Sequence, residues 1–359
     1  MTKKVTIRDI AREAGVSVCC VSWELGNHPR SKVVGEETRR RILDAAARLG
    51  YVQNQLAAAT RTGQVNTIAV ILDFNELQNI MPMNQVMTGI IMEASARQKS
   101  IKVFSENDLE NSFRSIVENR IGKVIIVSAN REIRENSAEL AEKYSLDLVY
   151  CYERGHHQFP AVNTDNIGMT ANAVHYLAER GHTRIGMLCS PHRWHWVEER
   201  HAGYLRGMEQ CGLQVDPRWI SCLDDTEAEV EKMLSLPQKA RPTAFITLSD
   251  SLAAIAMRTA WRNGLRIPED LSVIGIGNMS CSLFAMVPIT TFKEAFTETG
   301  KLLIRLVLGE QVGIRPDEHN VYYTHAEMIE RKSVYTIDTS LKSQVSRCKS
   351  QVSRRKSKV

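Results

Sequence analysis

From Asn66 onward, short apolar runs alternate with amphipathic helical stretches, and this alternation restricts the fold more than any other feature. The apolar runs are 67–72, 101–104, 123–128 and 146–152, followed by 184–189, 244–248 and 271–276. Helical periodicity marks 83–99, 167–180, 197–211, 225–236, 251–263 and 296–308. Strands that are apolar on both faces must be covered on both faces. Strand–helix alternation therefore predicts parallel sheets clad by helices. Two such sets, each of about four or five strands, predict two doubly wound subdomains with a cleft between them. Ligands of such folds bind at the carboxyl ends of the strands.

The first fifty residues follow a different rule and read as three short helices. Thr6 with Asp9 resembles a capping box, and Ile7, Ile10, Ala11 and Ala14 share one helical face. Gly15 breaks this helix, and Ser17 caps a second one over 18–25 with Val21 and Leu25 inward. A third helix starts near Glu36 and stops at Gly50, with Ile42, Leu43, Ala46 and Leu49 turned inward. Two helices joined by a glycine turn and braced by a third form the helix-turn-helix arrangement. Its second helix projects Val18, Cys19, Ser22 and Trp23 toward a major groove. Thr6 and Ser17 stand at helix starts, where hydroxyls and backbone amides bind phosphate.

Charge agrees with this division. Residues 1–63 carry a net +5 and residues 340–359 a net +7, whereas 64–339 carry −7. A basic segment on an acidic body suits a polyanion-binding module, although a solvated charged face has the same signature. The last twenty residues repeat KSQVSR at 342–347 and 349–354 and read as a basic low-complexity tail. No apolar run is long enough to span a membrane, and the polar N-terminus has no export signal. The eight cysteines form no C-x-x-C pair and read as reduced, mostly buried thiols of a cytosolic protein.

The segments VTIRDIAREAGVSVCCVSWELGN and GEETRRRILDAAARLGY resemble the DNA-binding domain of the LacI/GalR family of bacterial transcription regulators. The blocks VNTDNIGMTANAVHYLAERGHTRIGML, RHAGYLRGM, LSDSLAAIAMRTAWRNGLRIPEDLSVIGIG, PITTF and EMIERKSV follow in that family's order, so the resemblance covers about residues 5–335. It implies an α/β chain in which an N-terminal helix-turn-helix precedes a periplasmic-binding-protein-like core of two doubly wound parallel-sheet subdomains. The implied domains are the helix-turn-helix at 1–50, a hinge at 51–65 and an effector-binding, dimerising core at 66–339, followed by the tail at 340–359. Within the core, the N-subdomain takes about 66–163 and 293–322, and the C-subdomain about 164–292 and 323–338.

Carried over position by position, the family's base-reading sites fall on Val18, Cys19 and Trp23. Its phosphate contacts fall on Thr6, Ser17, Cys20, Ser22, Tyr51 and Asn54. The family places polar side chains at the base-reading positions, but Val18 and Cys19 offer mainly apolar contact with a thymine methyl. Trp23 can wedge, stack, or simply pack on a neighbouring loop. At the hinge position where a leucine pries a base step apart, this chain has Thr60, which predicts a weaker wedge. The loop NHPRSKVV is also longer than is common in the family.

The family's effector contacts map onto Glu153, Asp165, Trp194, Trp196, Arg200, Ser249, Gly277, Asn278 and Phe296. Arg200 supplies a fixed fork for a hydroxyl, carboxylate or phosphate. Asp165 either accepts hydroxyl hydrogen bonds or caps the helix that follows it. Trp194 and Trp196 suit a sugar face or planar ring, or else only shield the core. Many members carry an Asp-Asp pair where Gly277-Asn278 stands here, which weakens the case for a simple monosaccharide.

The resemblance implies a dimeric repressor that binds double-stranded operator DNA under control of a sugar or related metabolite, with no cofactor. The tail lacks the apolar heptads of a tetramerising bundle, so a homodimer is expected. A sugar-binding module without specific DNA recognition is the alternative, opposed by the intact segment from Thr6 to Tyr51. An enzyme is not expected. His192 and His195 with Glu198, Glu199 and His201 superficially suggest a metal cluster, but no H-E-x-x-H helix, nucleophile elbow or phosphate loop accompanies them.

Overall fold

The computed structural model describes residues 5–26, 29–51, 65–72, 81–152, 158–189, 194–222 and 225–337. Asn54, Thr60, Glu153, His192, most of the expected hinge and the basic tail lie outside the described residues. The chain divides into a small unit that carries the first helices and a large unit that carries both sheets.

In the small unit, α1 (Ile7–Ala14), α2 (Val18–Leu25) and α3 (Glu36–Arg48) surround a core of Ile10, Ala11, Ala14, Val21, Ile42 and Ala45. The backbone amide and hydroxyl of Thr6 both donate to the Asp9 carboxylate, at 2.9 and 2.7 Å, and fix the start of α1. Gly15 turns the chain at φ +64°, a left-handed conformation that a side chain would strain. One inward assignment is corrected. Leu43 is 48% exposed, because it sits about 100° round the helix from Ile42, and Ala45 fills the core instead.

The large unit contains two six-stranded sheets rather than sets of four or five. The first comprises β1 (Thr67–Leu72), β2 (Ser100–Ser105), β3 (Lys123–Val127), β4 (Asp147–Cys151), β5 (Ala161–Thr164) and β11 (Val321–Thr324), in the order β11-β5-β4-β3-β1-β2. The second comprises β6 (Ile185–Leu188), β7 (Ile220–Ser221), β8 (Ala244–Thr247), β9 (Ser272–Ile276), β10 (Thr290–Lys293) and β12 (Glu327–Ile329), in the order β12-β10-β9-β8-β6-β7. Apart from the sequence-distant edge strands β11 and β12, both sheets follow one doubly wound pattern. β1 and β6 each mark the point where strand order reverses. β12 pairs antiparallel to β10, an edge departure from a purely parallel sheet. The strands missing from the periodicity reading, β5, β7 and β10 to β12, are two to four residues long. Such runs are too short to show a period.

Around the first sheet lie α4 (Met81–Ala96), α6 (Arg131–Tyr144) and α12 (Phe296–Val307), while α5 (Leu109–Glu118) follows β2 in the chain. Around the second lie α7 (Asn166–Ala178), α8 (His195–Gln210), α9 (Thr226–Leu234), α10 (Asp250–Arg262) and the short α11 (Ser280–Phe284). The chain passes between the sheets three times: after β5 into α7, after β10 into α12, and between β11 and β12.

Two glycine crossings bring helices together. A Cβ on Gly89 of α4 would strike the Thr297 carbonyl of α12, and one on Gly300 would strike the Val86 carbonyl. On α8, Gly203 and Gly207 admit the backbone of Ile167 and the side chain of Val174 from α7. The seven described cysteines are free thiols, as expected, but the expectation that most are buried is corrected: among the described residues only Cys151 and Cys189 are buried, while Cys19 and Cys222 are exposed. No helix among the described residues is long and apolar enough to cross a membrane.

His182, between α7 and β6, is 2% exposed. Its Nε2 donates to the Tyr335 carbonyl and its Nδ1 faces the Thr243 hydroxyl, both at 3.0 Å. Burial, reinforced by Arg180 and Arg184, pushes the imidazole down to about 4. An unfolded imidazole titrates near 6.5, so the unfolded chain takes up a proton that the folded one refuses. Stability from this group is full above that value and is lost as pH falls toward 4. The expected loss is about 3 kcal/mol. Urea unfolding of native protein and His182→Gln checks this, the variant showing a flatter dependence over that interval.

Candidate nucleic-acid interface and ligand cleft

The small unit presents one face of α2. Residues four apart share a helix face, so Val18 aligns with Ser22 and Cys19 with Trp23, whereas Val21 points into the core. Ser17 caps the helix by accepting the Cys20 amide at 3.2 Å, and its hydroxyl donates to the Cys20 sulfur. Thr6, Ser17, Val18 and Cys19 are exposed; Cys20, Ser22 and Trp23 are half-buried. The Arg30 guanidinium lies 5.7 Å from the Trp23 ring centroid, so Trp23 does contact the following loop, as the packing alternative requires. Tyr51 packs against the small core. Ion pairs of Arg39 with Glu24 at 2.6 Å and Arg48 with Glu13 at 3.0 Å brace α3 against α2 and α1.

The large unit contains a cavity of about 260 Å³ at the carboxyl ends of strands from both sheets. Trp194 and Trp196 form part of one wall, their ring centroids 5.6 Å apart and tilted by 36°. Tyr152 and Phe296 meet edge to face at 6.2 Å on another. Asn163, Thr164, Asn166, Arg200 and Glu294 supply polar groups.

These polar groups form one buried network. Arg200 donates through Nε to Asn166 Oδ1 at 2.8 Å, through one terminal nitrogen to the Leu248 carbonyl at 2.9 Å, and through the other to Glu294 Oε1 at 2.7 Å. Its guanidinium carbon lies 4.7 Å from the Trp196 ring centroid. Asn163 and Asn166 both donate to Glu199 Oε2, at 3.1 and 2.9 Å, and His195 meets Glu199 Oε1 at 2.9 Å. These hydrogen bonds hold the Glu199 carboxyl below its ordinary value despite its burial. Glu294 behaves oppositely. Burial outweighs its bonds to Arg200 and Thr164 and raises its carboxyl above the ordinary value.

Of the sequence-derived ligand residues, Trp194, Trp196, Arg200, Ser249, Gly277 and Phe296 line this cavity. Asp165 does not. Its Oδ1 accepts the Gly168 amide at 2.8 Å, which is the capping alternative. Asn278 does not either, because its side-chain oxygen accepts from Arg331 at 2.6 Å. Sequence reasoning missed Tyr152, Asn163, Asn166 and Glu294. Glu294 had a usable signal, an acid between a strand and the helix opening at Phe296, at a strand's carboxyl end. His195 is engaged by Glu199, and the described residues contain no cluster of three metal-ligating side chains.

Residues 6–54 match the family model for bacterial regulatory proteins of the lacI family, and residues 174–334 match a periplasmic binding protein-like domain. The chain is 29% identical over 323 residues to the HTH-type transcriptional repressor CytR of Escherichia coli K12, covering 86% of this chain and 90% of that protein. It is 26% identical over 347 residues to the HTH-type transcriptional repressor PurR of Aliivibrio salmonicida, covering 92% and 99% of the two chains. The fold is similar to that of the lac repressor dimer bound to operator and the anti-inducer ONPF. There the TM-score is 0.70 at 22% identity, with 93% of this chain and 100% of the other covered.

Proposed function

Proceeding from the lacI family of bacterial regulatory proteins, to which this chain belongs, we propose a dimeric repressor that reads operator DNA through the outer face of α2 and answers to an uncharged ring-shaped effector. The protein is a DNA-binding transcriptional regulator. The observation that carries the residue-level reading is the alignment of Val18 with Ser22 and Cys19 with Trp23, opposite a buried Val21.

On this reading, Val18 and Cys19 touch thymine methyls, Trp23 contributes apolar area, and Thr6, Ser17, Cys20, Ser22 and Tyr51 position the backbone. In the cavity, the tryptophan pair covers a flat apolar ring face, and Asn163, Asn166 and Ser249 address hydroxyls. The single cation among the described wall residues, Arg200, is neutralised by Glu294 at 2.7 Å. That pairing favours a neutral sugar or related metabolite over a phosphorylated one. A homodimer has a surface available to bury. Leu283, Phe284 and Met286 are 54%, 85% and 56% exposed around α11, and Trp261 on α10 is 61% exposed.

Selection of bound sequences from random duplex DNA, with the full chain and with Trp23→Ala, tests the DNA reading. Native protein is expected to enrich a pseudo-palindrome, and the variant to bind that sequence about tenfold more weakly with relaxed choice at a few positions. Salt-sensitive binding with no enriched sequence would leave only phosphate attraction and overturn it.

A further inference from the structure

Cys189 and Cys222 stand at the carboxyl ends of two neighbouring parallel strands. Leu188 of β6 is in register with Ser221 of β7, and the Cys189 amide donates to the Ser221 carbonyl at 2.6 Å, so the next pair along is Cys189 with Cys222. Neighbouring strands lie about 4.8 Å apart, within the roughly 4.4–6.8 Å between Cα atoms that a disulfide bridges. The two thiols are each other's hydrogen-bond partner, and both are free. Their surroundings differ: Cys189 is 3% exposed, whereas Cys222 is open to solvent.

We propose that Cys189 and Cys222 form a reversible disulfide, with a low-molecular-weight disulfide as the oxidant. The contact assigns the roles. The hydrogen bond from Cys189 holds the Cys222 thiol below its ordinary value, while the same contact and burial push Cys189 up. Cys222 is thus the accessible nucleophile and Cys189 the resolving thiol. The Cys222 thiolate attacks one sulfur of the oxidant, forming a mixed disulfide and expelling a thiolate. Cys189 then loses its proton and attacks the Cys222 sulfur, expelling the second thiolate. The two protons released by the cysteines end on the two departing thiols. Two cysteines are oxidised and one small disulfide is reduced. Because the side chains of Trp194 and Trp196 pack against the cluster that contains Cys189, the bond fixes the strand end that leads to the tryptophan wall of the cavity.

The test exposes the full folded chain to oxidised glutathione, blocks free thiols, and maps tryptic fragments without reduction. Fragments 185–193 and 219–232 carry the two cysteines. They are expected as one linked species, two hydrogens lighter than their sum, lost on reduction and absent from Cys222→Ser. In Cys189→Ser, Cys222 is expected to stop at the glutathione mixed disulfide. Recovery of Cys222 from native protein only as the mixed disulfide, or only blocked, overturns the proposal even if Cys189→Ser fails to fold.

Discussion

Replacing Arg200 with methionine is expected to cost about 3–5 kcal/mol of stability, because it strands a buried carboxylate. Glu294 is 5% exposed and its charged partner at 2.7 Å is Arg200. Methionine has comparable length and fills the space beneath Trp196, so the loss comes mainly from the unpaired charge and from the orphaned Leu248 carbonyl and Asn166 oxygen. Adding Glu294→Gln to the Arg200→Met chain is therefore expected to restore much of the loss, although each change alone destabilises. The pH dependence has a definite sign. The folded Glu294 carboxyl already lies above its unfolded value of 4.5 through burial, and removing the arginine raises it further. A raised carboxyl imposes no penalty below the unfolded value and a growing one above it. The gap between native and variant proteins should thus be widest at neutral pH and narrow toward pH 4.5. Urea unfolding at several pH values measures it. A constant gap would mean that packing, not charge, accounts for the loss. Because Arg200, Asn166 and Glu294 meet in the cavity wall, Arg200→Met is also expected to abolish the change in operator affinity that the proposed effector produces.

The second large effect is expected at a residue with no chemistry of its own. Gly300→Val should destabilise the large unit by about 3 kcal/mol, at the upper end of overpacking costs. Valine avoids the conformational cost of glycine in a helix, worth under about 1 kcal/mol, so propensity alone predicts a slight gain. The contact decides otherwise. A Cβ at Gly300 would overlap the Val86 carbonyl and lie 2.7 Å from the Ile90 amide nitrogen, and neither backbone group can rotate aside. α4 and α12 must then separate. Met83 and Gln85 of α4 and Phe296 of α12 all line the cavity, so its width changes with the crossing. Gly313→Ala is the control, since a Cβ there meets nothing within 4 Å. A lowered urea midpoint at unchanged slope for Gly300→Val alone is the expected result. Equal stability of the two variants would overturn the argument.

How much of this was legible beforehand depends on the distance over which each feature is encoded. The helix-turn-helix could be read residue by residue. Capping by Thr6 and Asp9, the turn at Gly15 and the cap at Ser17 are contacts within a few positions, and α2 spans 18–25 as the pattern predicts. The doubly wound class was equally plain, because apolar runs and helical periods repeat locally. The edge strands β11 and β12 were not, since four and three residues carry no period and owe their strand form to distant partners. Family resemblance brought Trp194, Trp196 and Arg200 to the cavity, but it could not show that Asn278 turns to Arg331 and Asp165 to its own helix. Position in a motif specifies the backbone location of a side chain, not its partner.

By itself, then, the sequence determined what short-range physics controls: helix starts and stops, the positions of the longer strands, the three-helix head and the alternating body. It did not show that the run at 101–104 forms the edge strand β2, with Val103 41% exposed rather than covered on both faces. The tertiary structure alone decided which charges meet. Glu294 follows Arg200 by 94 positions, and only the chain's return from the second sheet to the first brings them to 2.7 Å. The same holds for Gly89 with Gly300 and for Cys189 with Cys222. Each pair is close because separate elements pack or align, and no local pattern records a contact made across the sheets and helices in between.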